Sequence, residues 1–253
     1  GEYKEGEGET YRSLPILQYG QPEEVGMNPK TLQRIDTIMR DAINMRATPG
    51  GQVLVARHGK VIWQKSYGHH TYSLRNKVEN DHIYDIASLT KIAATTIAVM
   101  KLAEDGKISL DHHMSRYLDE LDTTNKKNVS IRDVLTHSSG LKDWIPFYRA
   151  SISSPDVYDT VYHKDPDKKF CIKVDDDLYM CKDYQEVIFG KIYNSEMREK
   201  GNYRYSDLGM ILMRYLIEEV TQTPFDRYMD SVFYEPMGLR HLSFVSSNFP
   251  GPF

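Results

Sequence analysis

Apolar residues recur every three to four positions in the segment GMNPKTLQRIDTIMRDAI, and this spacing predicts an amphipathic helix. Asn28 is a suitable N-cap for it, and Pro29 fits the first helical position. The preceding residues, 1–21, are charged, glycine-rich and without period, so we expect a tail or linker there. The apolar stripe of the helix would consist of Leu32, Ile35, Ile38, Met39, Ala42 and Ile43.

The spacing then changes to that of a β-hairpin. Residues 52–68, QVLVARHGKVIWQKSYG, form two β-rich runs around His58 and Gly59, where glycine allows the positive φ of a tight turn. A further helix is predicted for residues 86–105, with Asp85 as its cap. An antiparallel pair between two helices indicates an α/β arrangement at this end of the chain.

The remaining pattern is mostly helical. Residues from about 107 to 240 carry helical spacing with loops between, and no internal repeat is evident. One helix is predicted to end near Thr221 and the next to start near Pro224. We therefore expect a helical subdomain over about 107–240.

Composition and charge narrow the classes of function. The 253 residues are 40% hydrophobic and 27% charged, an ordinary globular balance. A net charge of −4 without a basic run gives no reason to expect a nucleic-acid partner.

The longest apolar run is interrupted at Thr95 and Thr96, so we expect no transmembrane segment in this chain. The chain opens with Gly1 and has no signal-like segment, and we expect a piece of a longer protein whose compartment is not encoded here.

Two cysteines, Cys171 and Cys181, flank three aspartates in FCIKVDDDLYMCK. If residues 175–177 form a hairpin turn, the cysteines face each other, and either a disulfide or two free thiols would fit. The aspartates lack the alternating oxygens and glycine of a calcium loop.

The histidine pairs at 69–70 and 112–113 have no ligand cluster beside them, so we expect surface positions, no metal site and no cofactor.

The segment IASLTKIAATTIAVM, residues 86–100, contains candidate chemistry. Ser88 and Lys91 are three residues apart, so they share one face of a helix. A serine hydroxyl becomes a nucleophile when a base takes its proton, and burial lowers a lysine pKa toward that role. Ser-x-x-Lys is a weak pattern, because a lysine extending from a core helix looks the same. It also occurs as SGLK at 139–142, where Gly140 makes an ordered helical pair unfavourable.

Three further stretches strengthen the interpretation: VSIRDVLTHSSGLKDW, NYRYSDLGMILMRYL and TQTPFDRYMDSVFYEPMGLRHLSF. With SLTK at 88–91, their order and spacing over about 22–245 resemble the serine β-lactamase and penicillin-binding protein superfamily. The resemblance is to its class C-like branch, with class C β-lactamases, D-alanyl-D-alanine carboxypeptidases and β-lactamase-fold esterases. It implies an α/β plus all-α fold, an antiparallel sheet flanked by helices with a helical subdomain, as one domain over residues 22–253.

The resemblance also assigns roles. Ser88 matches the acylated nucleophile, and its backbone N–H would supply half of the oxyanion hole. Lys91 matches the partner that helps to take the serine proton, and Tyr205 matches the proton-shuttling tyrosine of Tyr-x-Asn. His137 and Gly140 would be architectural. Trp144 is a candidate for the rim of the cleft.

One departure from the family pattern is Asp207, which stands where the motif has Asn. A carboxylate beside Lys91 raises the lysine pKa and makes it a weaker base. Either Asp207 is protonated, or Lys91 stays cationic and a Tyr205 phenolate acts as the main general base for Ser88. An alternative register, Ser206-Asp207-Leu208 against Ser-Asp-Asn, leaves Tyr205 unused, and we prefer the tyrosine alignment. Our hypothesis is that Asp207 holds Lys91 as an ion pair.

The second departure is that no Lys-Thr-Gly or His-x-Gly motif follows Tyr205; His241 is followed by Leu-Ser. We therefore expect the fold to lack its C-terminal strands here, with a sheet of two strands, and leave open a further domain before Gly1.

The sequence is consistent with two functions. One is a serine acyl-enzyme hydrolase of a β-lactam, a D-Ala-D-Ala-type peptide or a small ester. The other is a catalytically incomplete binding or scaffold module of a larger envelope protein. The family is usually exported, which predicts a periplasmic or cell-envelope location.

Overall fold

The computed structural model describes residues 17–175 and 177–244. They fall into two compact units, one that extends to Tyr84 and one that begins at Asp85. The second unit therefore starts earlier than the predicted helical subdomain at about 107. The reason is that the helix after Ser88 buries its apolar face in the core of the second unit.

A three-stranded sheet forms the centre of the first unit. Strand β2, Gly50–Arg57, pairs antiparallel with β3, Lys60–Gly68, and β1, Gln18–Tyr19, runs parallel to β3 on its other side. The predicted hairpin is confirmed, with positive φ angles at both His58 and Gly59. The expectation of a two-stranded sheet was wrong. The sheet has a third, short strand, β1, which pairs with β3 through only two residues.

β1 lies within the segment predicted as a tail, and residues 1–16 of that segment lie outside the described residues. A short 3-10 helix, Pro22–Val25, follows β1. Its last residue, Val25, is buried together with Leu32 and Ile62 in the small core of this unit.

The predicted amphipathic helix is present in two pieces, α1, Pro29–Leu32, and α2, Arg34–Asn44. The side chain of Asn28 caps it as predicted, because its oxygen accepts backbone N–H groups of the first turn. The apolar stripe is buried only at its beginning: Leu32 is buried, whereas Ile38 is 61% exposed.

The second unit is mainly helical. Its first α-helix, α3, spans Ile97–Glu104 and follows a 3-10 turn, Ala87–Leu89, and a π-helix, Lys91–Thr96. The next α-helices are α4 Ile131–Leu135, α5 Phe147–Ser151, α6 Pro155–Val161, α7 Tyr184–Tyr193, α8 Asp207–Thr221 and α9 Phe225–Met229. Shorter helical segments are the 3-10 helices Met114–Arg116 and Asp119–Thr123 and the π-helix Asp230–Tyr234.

Helix α8 lies at the centre of this unit. It buries one face in a core shared with α3, α4 and α9, and its backbone comes close to α4. A Cβ atom on Gly209 of α8 would lie 2.8 Å from a methyl carbon of Val134, so glycine is needed for this approach. The ends are as predicted: α8 ends at Thr221, and Pro224 precedes α9.

The cysteine hairpin is also present in the second unit. Strand β6, Leu178–Cys181, pairs with β5, Phe170–Asp175, and with β4, Tyr162–His163. A register shift pairs Phe170 rather than Cys171 with Cys181, so the cysteines do not face each other. Both are free thiols, Cys171 exposed and Cys181 buried, which decides between the two alternatives that the sequence left open.

No helix among residues 17–175 and 177–244 is long and apolar enough to cross a membrane.

Candidate active site

Ser88 lies at the start of a helical run whose first residues are held by Asp85. The Asp85 carboxylate accepts the backbone N–H of Ala87 at 2.7 Å, but Ile86, and not Asp85 as predicted, occupies the N-cap position of the 3-10 turn. Ala87 has a φ of +44°, which is unfavourable for a residue with a side chain. The turn that carries Ser88 therefore begins with a strained backbone, and the serine itself is exposed.

Lys91 reaches back to Ser88 along this run. Its Nζ donates a hydrogen bond to Ser88 Oγ at 3.0 Å. The lysine side chain is 17% exposed, so it is mostly withdrawn from water as the apolar sequence predicts. The four-residue pattern thus brings the two polar atoms into direct contact.

The helix that Lys91 begins is a π-helix and not the regular α-helix that the spacing predicts. Its wider turns leave backbone carbonyls without the usual partner. The side chain of Thr96 donates to the carbonyl of Lys91 at 2.8 Å, and the hydroxyl of Tyr234 donates to the carbonyl of Ala93 at 3.1 Å. π-helical turns of this kind are frequent at functional sites.

Asp207 and Tyr205 reach Lys91 from the N-terminal end of α8. The Asp207 carboxylate forms an ion pair with Lys91 Nζ at 2.7 Å, in agreement with the hypothesis drawn from the sequence. The ammonium also lies 5.2 Å from the centre of the Tyr205 ring. Ser88, Lys91, Tyr205 and Asp207 therefore form one constellation inside the second unit.

The contacts of Lys91 set the charge state of this constellation. Burial by itself lowers the pKa of Lys91, but hydrogen bonds to Asp207 and Tyr205 outweigh it, and the pKa is raised. Hydrogen bonds with Lys91 and Ser88 lower the pKa of Tyr205. The raised pKa of Lys91 and the lowered pKa of Tyr205 favour one of the two alternatives that the sequence left open. In that alternative Lys91 is cationic and lies beside a phenol that loses its proton more readily than usual.

Backbone hydrogen bonds join the loop that follows α4 to the loop that precedes α8, and these bonds position Tyr205. The N–H of Arg204 donates to the carbonyl of His137 at 2.6 Å, and the N–H of Asp207 donates to the carbonyl of Asp143 at 2.8 Å. The Asp143 carboxylate also accepts two hydrogen bonds from the Arg204 guanidinium, at 2.9 and 3.1 Å. The residue before Tyr205 is thus held by its backbone and by its side chain.

Gly140 sits where these loops come closest. It has a φ of +77°, and a Cβ atom there would lie 2.5 Å from the carbonyl oxygen of Arg198. The Arg198 N–H donates to the Gly140 carbonyl at 2.7 Å. The architectural role that the sequence assigned to Gly140 has this physical reason.

Two cavities border the constellation. The cavity on the serine side is lined by Ser88, Lys91, Tyr205 and His137 together with apolar residues. The other cavity is lined by Lys91, Asp207 and Trp144, with further aromatic side chains. Trp144 is 52% exposed and lines the second cavity, which Lys91 also borders, and it is not in the wall of the serine cavity.

Sequence reasoning assigned His137 only an architectural role and did not single out Asp143. The His137 ring lies in the wall of the serine cavity with its centroid 4.6 Å from that of Tyr205. Asp143 binds Arg204, which is 61 residues away along the chain. The available signal was indirect: Asp143 follows the HSSGL stretch, and Arg204 immediately precedes the predicted tyrosine.

The described residues contain no group of three or more His, Cys, Asp or Glu side chains that could hold a metal ion. The histidine pairs have other contacts. His70 Nε2 lies 2.7 Å from His82 Nδ1, and His112 Nδ1 lies 2.8 Å from the Tyr117 hydroxyl. Both contacts are partly buried. His69, His70 and His112 are half-buried and only His113 of the four is exposed, so the expected surface positions are met fully at His113 alone.

The sequence profile of the Beta-lactamase family matches residues 35–250 of this chain. The chain belongs to the Beta-lactamase family. A protein of Escherichia coli O157:H7 named "Putative D-alanyl-D-alanine carboxypeptidase" is 27% identical over 243 residues, which cover 91% of this chain and 51% of that protein. The chain therefore spans about half the length of the relatives that it matches.

Solved structures agree on the fold of this Beta-lactamase family member. The octameric penicillin-binding protein homologue from Pyrococcus abyssi superimposes with a TM-score of 0.62 at 19% identity, over 83% of this chain and 43% of that one. A class C beta lactamase superimposes with a TM-score of 0.59 at 20% identity, over 83% and 50%. The predicted superfamily and its fold are confirmed.

Proposed function

We propose that this protein is a serine hydrolase that forms an acyl-enzyme on Ser88 and cleaves an amide or ester bond. The observation that carries the proposal is the contact between Ser88 Oγ and Lys91 Nζ at 3.0 Å, with Tyr205 against the same ammonium. Membership of the Beta-lactamase family supports the same chemistry. Trp144 borders the neighbouring cavity and is proposed to contact substrate.

The charge state of the site suggests how acylation proceeds. Lys91 is an ammonium held by Asp207, so it has no lone pair with which to accept a proton. The Tyr205 phenolate, stabilised by that ammonium, takes the proton from Ser88 Oγ while Oγ bonds to the substrate carbonyl carbon. The carbonyl oxygen becomes an oxyanion, for which the Ser88 backbone N–H is the proposed donor.

Collapse of this intermediate completes the first half of the reaction. The bond from the carbonyl carbon to the leaving nitrogen or oxygen breaks, and the leaving group takes the proton from Tyr205. Hydrolysis of the acyl-enzyme follows the same steps with water as the nucleophile: Tyr205 takes a proton from water and returns one to Ser88 Oγ. No cofactor is needed in either half.

The candidate substrates are a D-Ala-D-Ala-type peptide, a β-lactam and a small ester. The name of the E. coli relative supports the first. Since the family is usually exported, we also propose a periplasmic or cell-envelope location. The division into a tail at 1–21 and one β-lactamase-like domain over 22–253 stays a prediction.

Active-site labelling tests the function. We expect a fluorescent penicillin or a fluorophosphonate probe to label the full-length protein, with the added mass on Ser88 by peptide mapping. A Ser88→Ala variant is the control and should stay unlabelled. Absence of an adduct with either probe, in protein that is folded by circular dichroism, would instead support the binding or scaffold module.

A further inference from the structure

We propose that His137 is a positioning residue for Tyr205, which it holds in place as a neutral imidazole. The inference rests on the proposed function, because it concerns the tyrosine that moves the serine proton. His137 contacts three consecutive residues, the tyrosine and both of its neighbours in the chain. Each of these contacts uses a different part of the histidine.

The backbone and the ring of His137 act together. Its carbonyl accepts the N–H of Arg204 at 2.6 Å, and its Nδ1 accepts the N–H of Ser206 at 3.3 Å. Between these two bonds, the imidazole packs on the Tyr205 ring with centroids 4.6 Å apart and planes inclined by 36°. The phenol is thus held by a ring contact and by hydrogen bonds at both adjoining residues.

The backbone of His137 has an unusual conformation for this purpose. It lies just after α4 with a φ of +53°, in the left-handed region where Asn and Gly are tolerated better than most residues. This conformation lets the carbonyl and the ring of one residue face the same loop. Ser206 is itself buried and donates its hydroxyl to the carbonyl of Lys142 at 2.7 Å, which fixes the other side of the loop.

The hydrogen bond from Ser206 requires one protonation state. A backbone N–H can only donate, so Nδ1 of His137 must offer its lone pair and the imidazole must be neutral. The titratable groups that face the ring are Lys91, Asp207, Tyr203 and Tyr205. Burial and the Lys91 ammonium lower the pKa of His137 and outweigh the opposite effect of Asp207, so the neutral form is favoured.

Protonation should therefore loosen the tyrosine. An imidazolium has no acceptor for the Ser206 N–H, and it places a second positive charge near Lys91. Acylation of Ser88 should slow as the pH falls through the His137 pKa, since the neutral form is the one that holds the loop. The loss of one such hydrogen bond corresponds to about a five- to tenfold slower reaction.

Two substitutions separate this role from a general structural one. His137→Asn tolerates the left-handed backbone and offers an oxygen close to the position of Nδ1, but it does not titrate. His137→Gly keeps the backbone but loses the acceptor, and both variants lose the ring contact with Tyr205, so the difference between them reports the acceptor alone. His112→Asn is the matched control, since His112 contacts Tyr117 away from the site.

The experiment follows the rate of fluorophosphonate labelling of the full-length protein between about pH 5 and pH 8. We expect His137→Gly to be slower by about tenfold at the upper end. His137→Asn should recover the part of that loss that is due to the acceptor and show a shallower fall toward acid pH than the native protein. His112→Asn should keep the native profile. An acid fall in His137→Asn equal to that of the native protein would overturn the proposal.

A second readout does not depend on activity. In amide NMR spectra, the Ser206 N–H signal should titrate together with the His137 imidazole and should lose this transition in His137→Asn. If the native protein forms no adduct but Ser206 follows His137, the function proposed above fails while the positioning role stands. If Ser206 does not respond to His137, the positioning role is wrong whatever the activity.

Discussion

Two serines in this chain are each followed three residues later by a lysine, in SLTK at 88–91 and in SGLK at 139–142, and the structure places them in opposite environments. Ser88 is exposed, and its hydroxyl receives a hydrogen bond from Lys91. Ser139 is only 2% exposed, and its hydroxyl accepts the backbone N–H of Leu141. The same spacing gives a serine–lysine hydrogen bond in one case and a local turn in the other.

The residue that directly follows each serine accounts for the difference. Leu89 continues a helical turn, which turns Ser88 and Lys91 to the same side. Gly140 has a φ of +77°, and this breaks any helix at that point and directs Lys142 outward. The second motif contributes to the site indirectly, since its backbone holds the loop that carries Tyr205.

The largest expected effect comes from exchanging the serines for alanine in turn. Ser88→Ala should reduce labelling by a fluorophosphonate at least about 10³-fold, because it removes the hydroxyl that we propose as the nucleophile. Ser139→Ala should keep the label and destabilise the protein by about 1 kcal/mol through loss of a buried hydroxyl. Labelling rate and urea denaturation measure the two effects. Equal labelling of both variants would remove the distinction between the motifs.

The next largest effect is expected at Gly140, the glycine that distinguishes the second Ser-x-x-Lys motif from the first. Gly140→Ala should lower the free energy of unfolding by about 2–4 kcal/mol, because it combines an unfavourable φ with a clash against the Arg198 carbonyl. Gly106 is the control, since it also has a positive φ but open space at the Cβ position. Gly106→Ala should cost about 1 kcal/mol. Urea denaturation of both variants tests this; equal losses would show that the loop yields to the added methyl group.

The smallest effect is expected at Asp207. In Asp207→Asn the ion pair is lost, so the pKa of Lys91 falls, and the negative charge that raises the pKa of Tyr205 is removed. While Lys91 remains an ammonium, removal of the Asp207 charge favours the Tyr205 phenolate, which is the proposed base, so the rise of the acylation rate with pH should occur at lower pH. At neutral pH the rate should stay equal or increase up to about tenfold. A complete loss of acylation would contradict the role of Asp207 as a restraint on Lys91.

The sequence predicted the elements whose signals are local. Asn28 before Pro29, Gly59 in the hairpin and Pro224 before α9 each act on their immediate neighbours, and each was correctly interpreted. The contact between Ser88 and Lys91 was also predictable, since the two residues are three apart in one continuous helical run, although the run changes from a 3-10 turn to a π-helix between them.

The features that escaped prediction depend on packing, in most cases between residues far apart in the chain. The π-helix at Lys91–Thr96 needs partners that the local pattern does not contain, and one of them is Tyr234. The cysteines share a hairpin, yet a shift in its register separates them, and a shift of this kind depends on packing. The proximity of His137 to Tyr205 follows from the close packing of α4 against α8.

The hydrogen bond from Tyr234 to the Ala93 carbonyl has a consequence for the order of folding. It joins positions 141 residues apart, and contacts of such long range generally form late. During synthesis the N-terminal part of a domain leaves the ribosome first, so Ser88 and Lys91 emerge well before the residue that completes their helix. We expect a chain that stops before Tyr234 to contain Ser88 and Lys91 but to lack the hydrogen bond that holds the Ala93 carbonyl of their helical run.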